Sequence, residues 1–177
     1  VDITGAGSLS VVGGTITDTG TVNIGGATFS GGTATFSSLF NGGSLLTVNG
    51  GTVNFNGTTT FAAGATMNLS SGTIGGLGDV TVTGTLNWSG GAMTGSGRTI
   101  IANTGTLVMD NTTHDLNRVL QNEGTATWTA GAFQLNGGAF TNNGSFTANS
   151  GGALNCYGTG GANSFNNAGT FTKLGAG

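Results

Sequence analysis

The sequence predicts an all-β protein that folds as a parallel β-helix, also called a β-solenoid. Three observations lead to this prediction. The composition favours strands joined by tight turns, since the 177 residues include 38 glycines and ten phenylalanines but no proline. Short runs of alternating apolar and polar residues recur every six to eight residues, which leaves no room for helices between them. A phrase built on Asn and Gly also recurs at a nearly fixed interval, as expected of stacked coils.

The composition also narrows the classes of partner. Disordered chains are rich in proline and charge, whereas only 5% of these residues are charged, so the high glycine content does not indicate disorder. Six acidic and three basic residues give a net charge of −3 and no basic patch, and we therefore expect no nucleic-acid partner. No apolar run approaches the roughly 18 residues of a transmembrane helix, and we expect no membrane insertion.

The recurring phrase is Asn, any residue, Gly, then Thr or Ser, then an apolar residue. It occurs at 103–107, 122–126, 142–146 and 167–171. Extending its glycine towards the N-terminus gives eight anchor glycines, which are Gly20, Gly43, Gly64, Gly84, Gly105, Gly124, Gly144 and Gly169. Their spacing of 19 to 25 residues predicts about eight coils of roughly 20 residues, each with three short strands. We expect residues 1–177 to form one β-solenoid domain, either a processed product or a fragment of a longer rod.

Aligning the coils on the anchor glycines predicts the interior, because residues i and i+2 of a strand point to the same side. The first strand of each coil should supply two inward columns: Leu86, Leu107, Ala126, Phe146 and Phe171, and beside them Trp88, Met109, Trp128 and Ala148. The second strand should supply Met93, Phe133 and Leu154, with Leu116, Leu135 and Cys156 beside them. The third should supply Ile101, Leu120, Phe140 and Phe165.

The asparagine of each phrase predicts a structural ladder at one corner of the coils. Its members are Asn103, Asn122, Asn142 and Asn167. Asparagine tolerates turn geometry, and its amide can bond to the amide of the next asparagine in a stack.

The clearest copies of the phrase lie within 140–146 and 165–173. In these segments the chain resembles the Gly/Thr/Asn-rich β-solenoid repeats of large secreted bacterial surface proteins, including haemagglutinin-type adhesins and autotransporter passenger domains. The resemblance implies a parallel β-helix in an extracellular or cell-surface location. It transfers no residue-level functional motif.

One coil contains a cluster of ionisable residues: Asp110, His114, Asp115, Arg118 and Glu123. Parallel β-helices often host polysaccharide lyases and hydrolases, so an enzyme of that class is one alternative. Such a hydrolase needs two carboxylates that face each other about 5 to 10 Å apart. No long loop is available to build cleft walls, and His114 falls in the expected inward column of Met93 and Phe133. We therefore expect no catalytic residues in this chain.

The sequence also offers no pattern for a metal or cofactor. Cys156 is the only cysteine, which excludes an intrachain disulfide or a thiolate metal site. The aspartates do not recur in the Gly-Gly-x-Gly-x-Asp turns of calcium-binding solenoids. We expect no bound cofactor.

Ice binding is a second alternative to a structural role. The outward positions of the first strand read Thr85 and Asn87, Thr106 and Val108, Thr125 and Thr127, Ser145 and Thr147, and Thr170 and Thr172. These positions form a Thr-x-Thr array with spacings of about 7 Å along the strand and about 4.8 Å between coils. Threonine is also a common outward residue of any strand, which is the simpler explanation.

The two ends of the predicted rod carry the main functional expectation. Ile3 and Phe171 lie in strand-like segments at the ends, where the backbone groups of a terminal coil are open to pairing. We expect these ends to be covered by further β-coils, from a second copy or from the same polypeptide. The sequence thus predicts a non-enzymatic structural or adhesive module that forms an extracellular rod or filament, with surface polysaccharide as a further candidate partner.

Overall fold

The computed structural model describes residues 1–157 and 163–175. Among these residues the regular structure is entirely β-strand. The strands in chain order are β1 (Ile3–Thr4), β2 (Ser8–Asp18), β3 (Val22–Asn23), β4 (Gly26–Phe36), β5 (Phe40–Asn41), β6 (Leu45–Phe55), β7 (Thr59–Phe61), β8 (Thr66–Gly75), β9 (Val80–Val82), β10 (Thr85–Trp88), β11 (Gly91–Met93), β12 (Arg98–Ile101), β13 (Thr106–Met109), β14 (His114–Leu116), β15 (Val119–Asn122), β16 (Thr125–Trp128), β17 (Phe133–Asn136), β18 (Ala139–Asn142), β19 (Ser145–Ala148), β20 (Leu154–Tyr157), β21 (Ser164–Asn167) and β22 (Thr170–Lys173).

The strands stack as the coils of a parallel β-solenoid, which confirms the predicted fold class. All of the strand pairs are parallel, and each strand pairs with its counterpart about one coil away, as β10 does with β8 and β13. The coils have three faces. We call face one the side that runs through β10, β13, β16, β19 and β22, and face two the side that runs through β11, β14, β17 and β20. Face three contains β1, β3 and β5 in one sheet and β7, β9, β12, β15, β18 and β21 in another.

The first coils differ from the prediction of three short strands per coil. There, β2, β4, β6 and β8 are long strands of 10 or 11 residues that cover both face one and face two. Glycines near the middle of these strands, including Gly14, Gly32 and Gly72, have φ values of 72°, 69° and 79°. Only glycine adopts this region without strain, so the strand bends from one face to the next without ending.

The interior of face one follows the predicted register. Leu86, Leu107, Ala126, Phe146 and Phe171 are successive partners, and so are Trp88, Met109, Trp128 and Ala148. The small Ala126 lies next to Trp128, and the large Phe146 lies next to Ala148. This alternation of size fills the narrow lumen, and Leu107, Leu120, Phe140 and Phe146 are all at most 1% exposed.

On faces two and three the predicted columns are partly wrong. Met93 pairs with Leu116, whereas His114 pairs with Gly91 and Phe133. The reason is the corner between faces one and two, which has two residues after β10 but four after β13. Counting a fixed number of residues from each anchor glycine therefore misaligns β11 by two residues relative to β14.

The third strand shows the same kind of error. Thr99, rather than Ile101, is the partner of Leu120, and Ile101 pairs instead with Asn122. The corner that follows β12 has four residues, two more than the corner that follows β15.

One anchor glycine was also misplaced. Gly20 lies between β2 and β3, at the corner from face two to face three, whereas the other anchor glycines lie at the corner from face three to face one. Gly25 is near the corresponding position, because a Cβ on Gly43 would collide with its carbonyl group. The coil of Gly64 is shifted by one residue, since Thr66 pairs with Thr85 and this places Ala65, rather than Gly64, beside Gly84.

Candidate functional site

Three of the four predicted ladder residues stack at one corner. Asn122, Asn142 and Asn167 are successive partners at the ends of β15, β18 and β21. Asn122 Nδ2 donates to Asn142 Oδ1 at 2.7 Å, and Asn142 Nδ2 donates to Asn167 Oδ1 at 2.6 Å. The same two amide groups also donate to the carbonyl oxygens of Ser145 and Thr170, each at 3.0 Å. The amides therefore join each coil to the next through both side chain and backbone.

Asn103 lies outside this ladder. Ile101 takes the position in register with Asn122, and Asn103 is exposed in the four-residue corner 102–105. Gly105 N closes that corner by donating to Ala102 O at 2.7 Å. One consequence is that the buried Asn122 Oδ1 accepts no hydrogen bond from the described residues, because the Ile101 side chain has no N–H to donate.

The glycine after each ladder residue is needed for close stacking. A Cβ on Gly144 would collide with the Gly124 carbonyl group, and a Cβ on Gly169 would collide with the Gly144 carbonyl group. At this corner the backbones lie too close together for any larger residue. The repeated phrase therefore specifies a corner geometry.

His114 is a buried residue of the lumen. Its Nε2 lies 2.7 Å from the Trp88 carbonyl oxygen, its Nδ1 lies 3.3 Å from the Ala132 carbonyl oxygen, and its ring packs edge-on against the Trp88 ring. A carbonyl oxygen only accepts, so the shorter contact places the proton of the neutral ring on Nε2. Burial lowers the pKa of His114 below its usual value, although the carbonyl groups around the ring oppose this shift.

Arg118 is buried at the corner between faces two and three, and it joins three coils. Its Nε donates to Gly97 O at 2.8 Å and its Nη2 donates to Gly78 O at 3.0 Å. A Cβ on Gly97 would lie only 2.7 Å from that Nη2, so the glycine makes room for the guanidinium group. Burial lowers the pKa of Arg118 to about 10, and its Nη1 has no partner among the described residues.

The three acidic residues of the predicted cluster lie on separate parts of the coil. Asp110 is exposed at the corner between faces one and two, and Asp115 lies on β14 in face two. Glu123 is at the corner that leads to face one, where Gln121 Nε2 and Asn143 Nδ2 donate to its Oε1. These hydrogen bonds hold the pKa of Glu123 below its usual value. The structure therefore spreads the three acidic residues over two corners and one strand.

An ion pair that the sequence did not predict lies on the outer side of face three. Arg98 Nη2 lies 2.6 Å from Asp79 Oδ2, and the Arg98 backbone N–H donates to Asp79 Oδ1 at 2.8 Å. The hydrogen bond from the Arg98 side chain is the main cause of the lowered pKa of Asp79. The spacing of 19 residues, close to one coil, was the signal that could have revealed this pair.

The threonine array on face one has the predicted register. Its first column is Thr85, Thr106, Thr125, Ser145 and Thr170, and its second is Asn87, Val108, Thr127, Thr147 and Thr172. Thr66 and Asn68 extend the two columns by one coil. Asn87 Nδ2 donates to Asn68 Oδ1 at 2.9 Å, so part of the second column is an amide pair rather than free hydroxyl groups.

The predicted assembly residues lie in the first and last described strands. Ile3 is partly buried and packs against the core, and its strand β1 pairs with β3. Phe171 is 45% exposed and stacks on Phe146, with a distance of 5.5 Å between the ring centroids. Both residues therefore continue the interior columns out to the surface.

Within 1–157 and 163–175, no cavity or cleft is found. The same residues contain no group of three or more His, Cys, Asp or Glu side chains placed to hold a metal ion. None of them belongs to a helix that is long and apolar enough to span a membrane. A comparison with known proteins finds no family model, curated protein or solved structure that matches this chain.

Proposed function

We propose that this chain is a non-enzymatic structural module that forms a rod at the bacterial surface or in the extracellular matrix. The main support is the continuity of its coils. Parallel pairing runs from β1 to β22, and one hydrophobic core fills the lumen along that length. Each coil of a solenoid contacts only its neighbours, so the number of coils sets the length of the rod. Such a rod suits a role as a spacer or as an extended binding surface.

The proposed assembly is the stacking of further β-coils on both ends. The exposed ring of Phe171 and the partly buried Ile3 supply apolar contact at the two ends. The free edges of the terminal strands supply unpaired backbone groups, to which a further coil can bond at about 4.8 Å. The covering coils belong to a second copy of this chain or to a longer polypeptide.

The extracellular location and the adhesive role rest on the resemblance to repeats of secreted bacterial surface proteins. The nearly uncharged surface of Thr, Asn and Gly is compatible with contact to neutral surface polysaccharide. We propose polysaccharide as the second partner, after the chain itself.

End-to-end stacking is tested with charge substitutions. If the wild type stacks end to end, electron microscopy should show fibres of it. Ile3→Asp and Phe171→Asp place a carboxylate where the apolar contact would form, and each should shorten or abolish these fibres. Leu77→Asp is the control, because Leu77 is 69% exposed at the corner between faces two and three, on the side of the rod. A monodisperse wild-type monomer without fibres would contradict stacking.

The non-enzymatic part of the proposal is tested with pectins, alginates and β-glucans as substrates. Asp110 is exposed at the corner between faces one and two, whereas Asp115 lies on β14, and this arrangement supports a non-enzymatic role. We expect no turnover. Turnover that is lost in the Asp110→Asn/Asp115→Asn variant would overturn the proposal.

Ice binding through face one is the second candidate function, because the threonine array has the predicted register. Thr127 and Thr147 are central to it. In this case the protein would lower the freezing point without lowering the melting point, and Thr127→Lys/Thr147→Lys would remove that effect.

A further inference from the structure

The chain contains five copies of the Asn-x-Ser/Thr pattern, in which an asparagine can accept a sugar on its side-chain nitrogen. Their asparagines are Asn56, Asn68, Asn87, Asn111 and Asn143. The pattern alone is common and does not identify a modified residue. The structure separates the five by backbone and by hydrogen bonding.

Four of these asparagines already have structural roles. Asn68 and Asn87 lie within paired strands and are hydrogen-bonded to each other at 2.9 Å. Asn143 Nδ2 donates to Glu123 Oε1 at 2.7 Å. Asn56 Oδ1 accepts the Leu77 backbone N–H at 3.1 Å. A sugar on Asn68 or Asn87 would stand on a paired strand, and one on Asn143 would crowd the Glu123 carboxylate. Asn56 is half-buried, and the hydrogen bond to its amide oxygen fixes the orientation of its side chain.

Asn111 differs from the other four. It lies in the corner 110–113 between β13 and β14, where all four residues are exposed and outside regular strands. No hydrogen bond engages the side chain of Asn111 or Thr113 within the part of the chain that the structure describes. A sugar at Asn111 would project into solvent from the edge between faces one and two. It would leave both ends of the rod and the ladder corner uncovered.

We propose that Asn111 is a site of N-linked glycosylation, with Thr113 as the hydroxyl residue of its acceptor motif. The donor is a sugar activated as a nucleotide or lipid diphosphate ester. Asn111 Nδ2 attacks the anomeric carbon, a C–N bond forms, the C–O bond to the phosphate breaks, and the diphosphate leaves while Nδ2 loses one proton to base. The site goes beyond the proposed structural role and does not depend on stacking.

A purely structural reason also exists for an asparagine at this position. The φ of Asn111 is 71°, and asparagine adopts this left-handed region more readily than other non-glycine residues. The backbone conformation explains an asparagine at position 111, but it does not require a hydroxyl residue at position 113. Substitutions at positions 112 and 113 therefore distinguish the two explanations. Thr112 Oγ1 donates to Ser89 O at 2.9 Å, so the structure gives Thr112 a role that Thr113 lacks.

The experiment incubates the folded protein with a soluble N-glycosyltransferase specific for Asn-x-Ser/Thr and a nucleotide-activated hexose, and locates the hexose by peptide mass spectrometry. We expect a single hexose on Asn111 in the wild type and in Thr112→Ala. Thr113→Ala and Asn111→Gly should lose it, and Asn111→Gly should keep the fold because glycine accepts the same φ. Circular dichroism of each variant verifies folding.

Three results would overturn the proposal. They are a folded wild type without hexose, hexose mainly at Asn56, Asn68, Asn87 or Asn143, and equal modification of Thr113→Ala and Thr112→Ala. A folded wild type without hexose counts against the site even if the same enzyme modifies a heat-unfolded sample of the chain. The assembly variants Ile3→Asp and Phe171→Asp should be modified like the wild type, which keeps the failure of one proposal distinct from the failure of the other.

Discussion

Ile101 and Asn122 occupy neighbouring rungs of the same corner, and they differ in what they offer to the next coil. Ile101 supplies apolar packing at 0% exposure, whereas Asn122 needs a donor for its buried Oδ1. A buried acceptor without a partner costs about 1–3 kcal/mol. The first rung of the ladder is therefore its least satisfied member.

Because of this cost, we expect Ile101→Asn to destabilise the fold less than the same substitution at a comparable buried isoleucine. A new amide at 101 can donate to Asn122 Oδ1, whereas an amide at Ile74, which pairs with Val53 and Met93, finds only apolar neighbours. We expect Ile101→Asn to lower the free energy of unfolding by about 1–2 kcal/mol less than Ile74→Asn does. Urea unfolding of both variants measures the difference, and equal losses would contradict the argument.

His114 makes the stability depend on pH. Burial lowers its folded-state pKa, so below the unfolded value of about 6.5 the unfolded chain takes up a proton that the folded chain does not. The free energy of unfolding should therefore fall as the pH drops below about 6.5, and it should go on falling until the folded pKa is reached.

The control for this prediction is His114→Leu, which removes the titrating group. This variant loses the contact with Trp88 O and should be less stable at pH 7, but its stability should change little between about pH 7 and pH 5. The pKa values of Asp79 and Glu123 are lowered from ordinary values of 3.8 and 4.5, so the stability that these groups contribute is lost mainly below about pH 5. Thermal unfolding of both proteins between about pH 7 and pH 5 measures the effect. An equal fall in Tm for the wild type and His114→Leu over this range would refute the role of His114.

At the scale of the elements, the corners set the length of each coil and the glycines set how closely coils stack. Gly72 and Gly64 both have positive φ, at 79° and 84°. They differ in the space around them: a Cβ on Gly72 would collide with the Gly51 carbonyl group, whereas a Cβ on Gly64 would meet nothing within 4 Å.

We therefore expect substitution by alanine to destabilise the fold by different amounts at Gly64 and Gly72. Gly64→Ala should cost about 1–2 kcal/mol, the penalty of the left-handed backbone alone. Gly72→Ala should cost more than about 3 kcal/mol, because the collision also separates two stacked coils. Chemical denaturation of the two variants compares these values, and similar costs would show that space at the corner is not limiting.

Corner length also explains which parts of the fold the sequence could predict. Face one was predicted correctly because β13, β16 and β19 each begin directly after an anchor glycine. Beyond that point the corners of the described residues vary from two residues to five, and composition does not reveal which corner is long. The ladder position of Asn103 and the column of Met93 were therefore wrong by two residues.

Counting residues along the coils also could not place Arg118 beside the Gly97 and Gly78 carbonyl groups. That contact depends on the conformation of the long arginine side chain.

For the molecule as a whole, the aromatic rings of the core form two separate clusters. One contains Phe29, Phe36, Phe40, Phe55 and Phe61, and the other contains Trp88, Trp128, Phe133, Phe140, Phe146, Phe165 and Phe171. No ring contact joins them among the described residues. Between them the lumen is filled by smaller side chains, including Met67, Leu69 and Val82.

This division predicts that core substitutions act mainly within their own cluster. Phe40→Ala and Phe140→Ala each remove a fully buried ring and should each cost about 3–5 kcal/mol. Because coils interact with their nearest neighbours, Phe140→Ala should reduce hydrogen-exchange protection mainly after β10, and Phe40→Ala mainly before β8. A uniform loss of protection in either variant would instead indicate one cooperative unit.

The direction of the strands has a mechanical consequence. The strands lie across the axis of the stack, so their backbone hydrogen bonds point along it. A force that pulls the two ends apart would load these bonds one coil at a time, and the rod would unzip in steps. A released coil of about 20 residues can extend to roughly 70 Å. If the chain serves in the proposed rod, a sudden pull would lengthen the rod before either end detached.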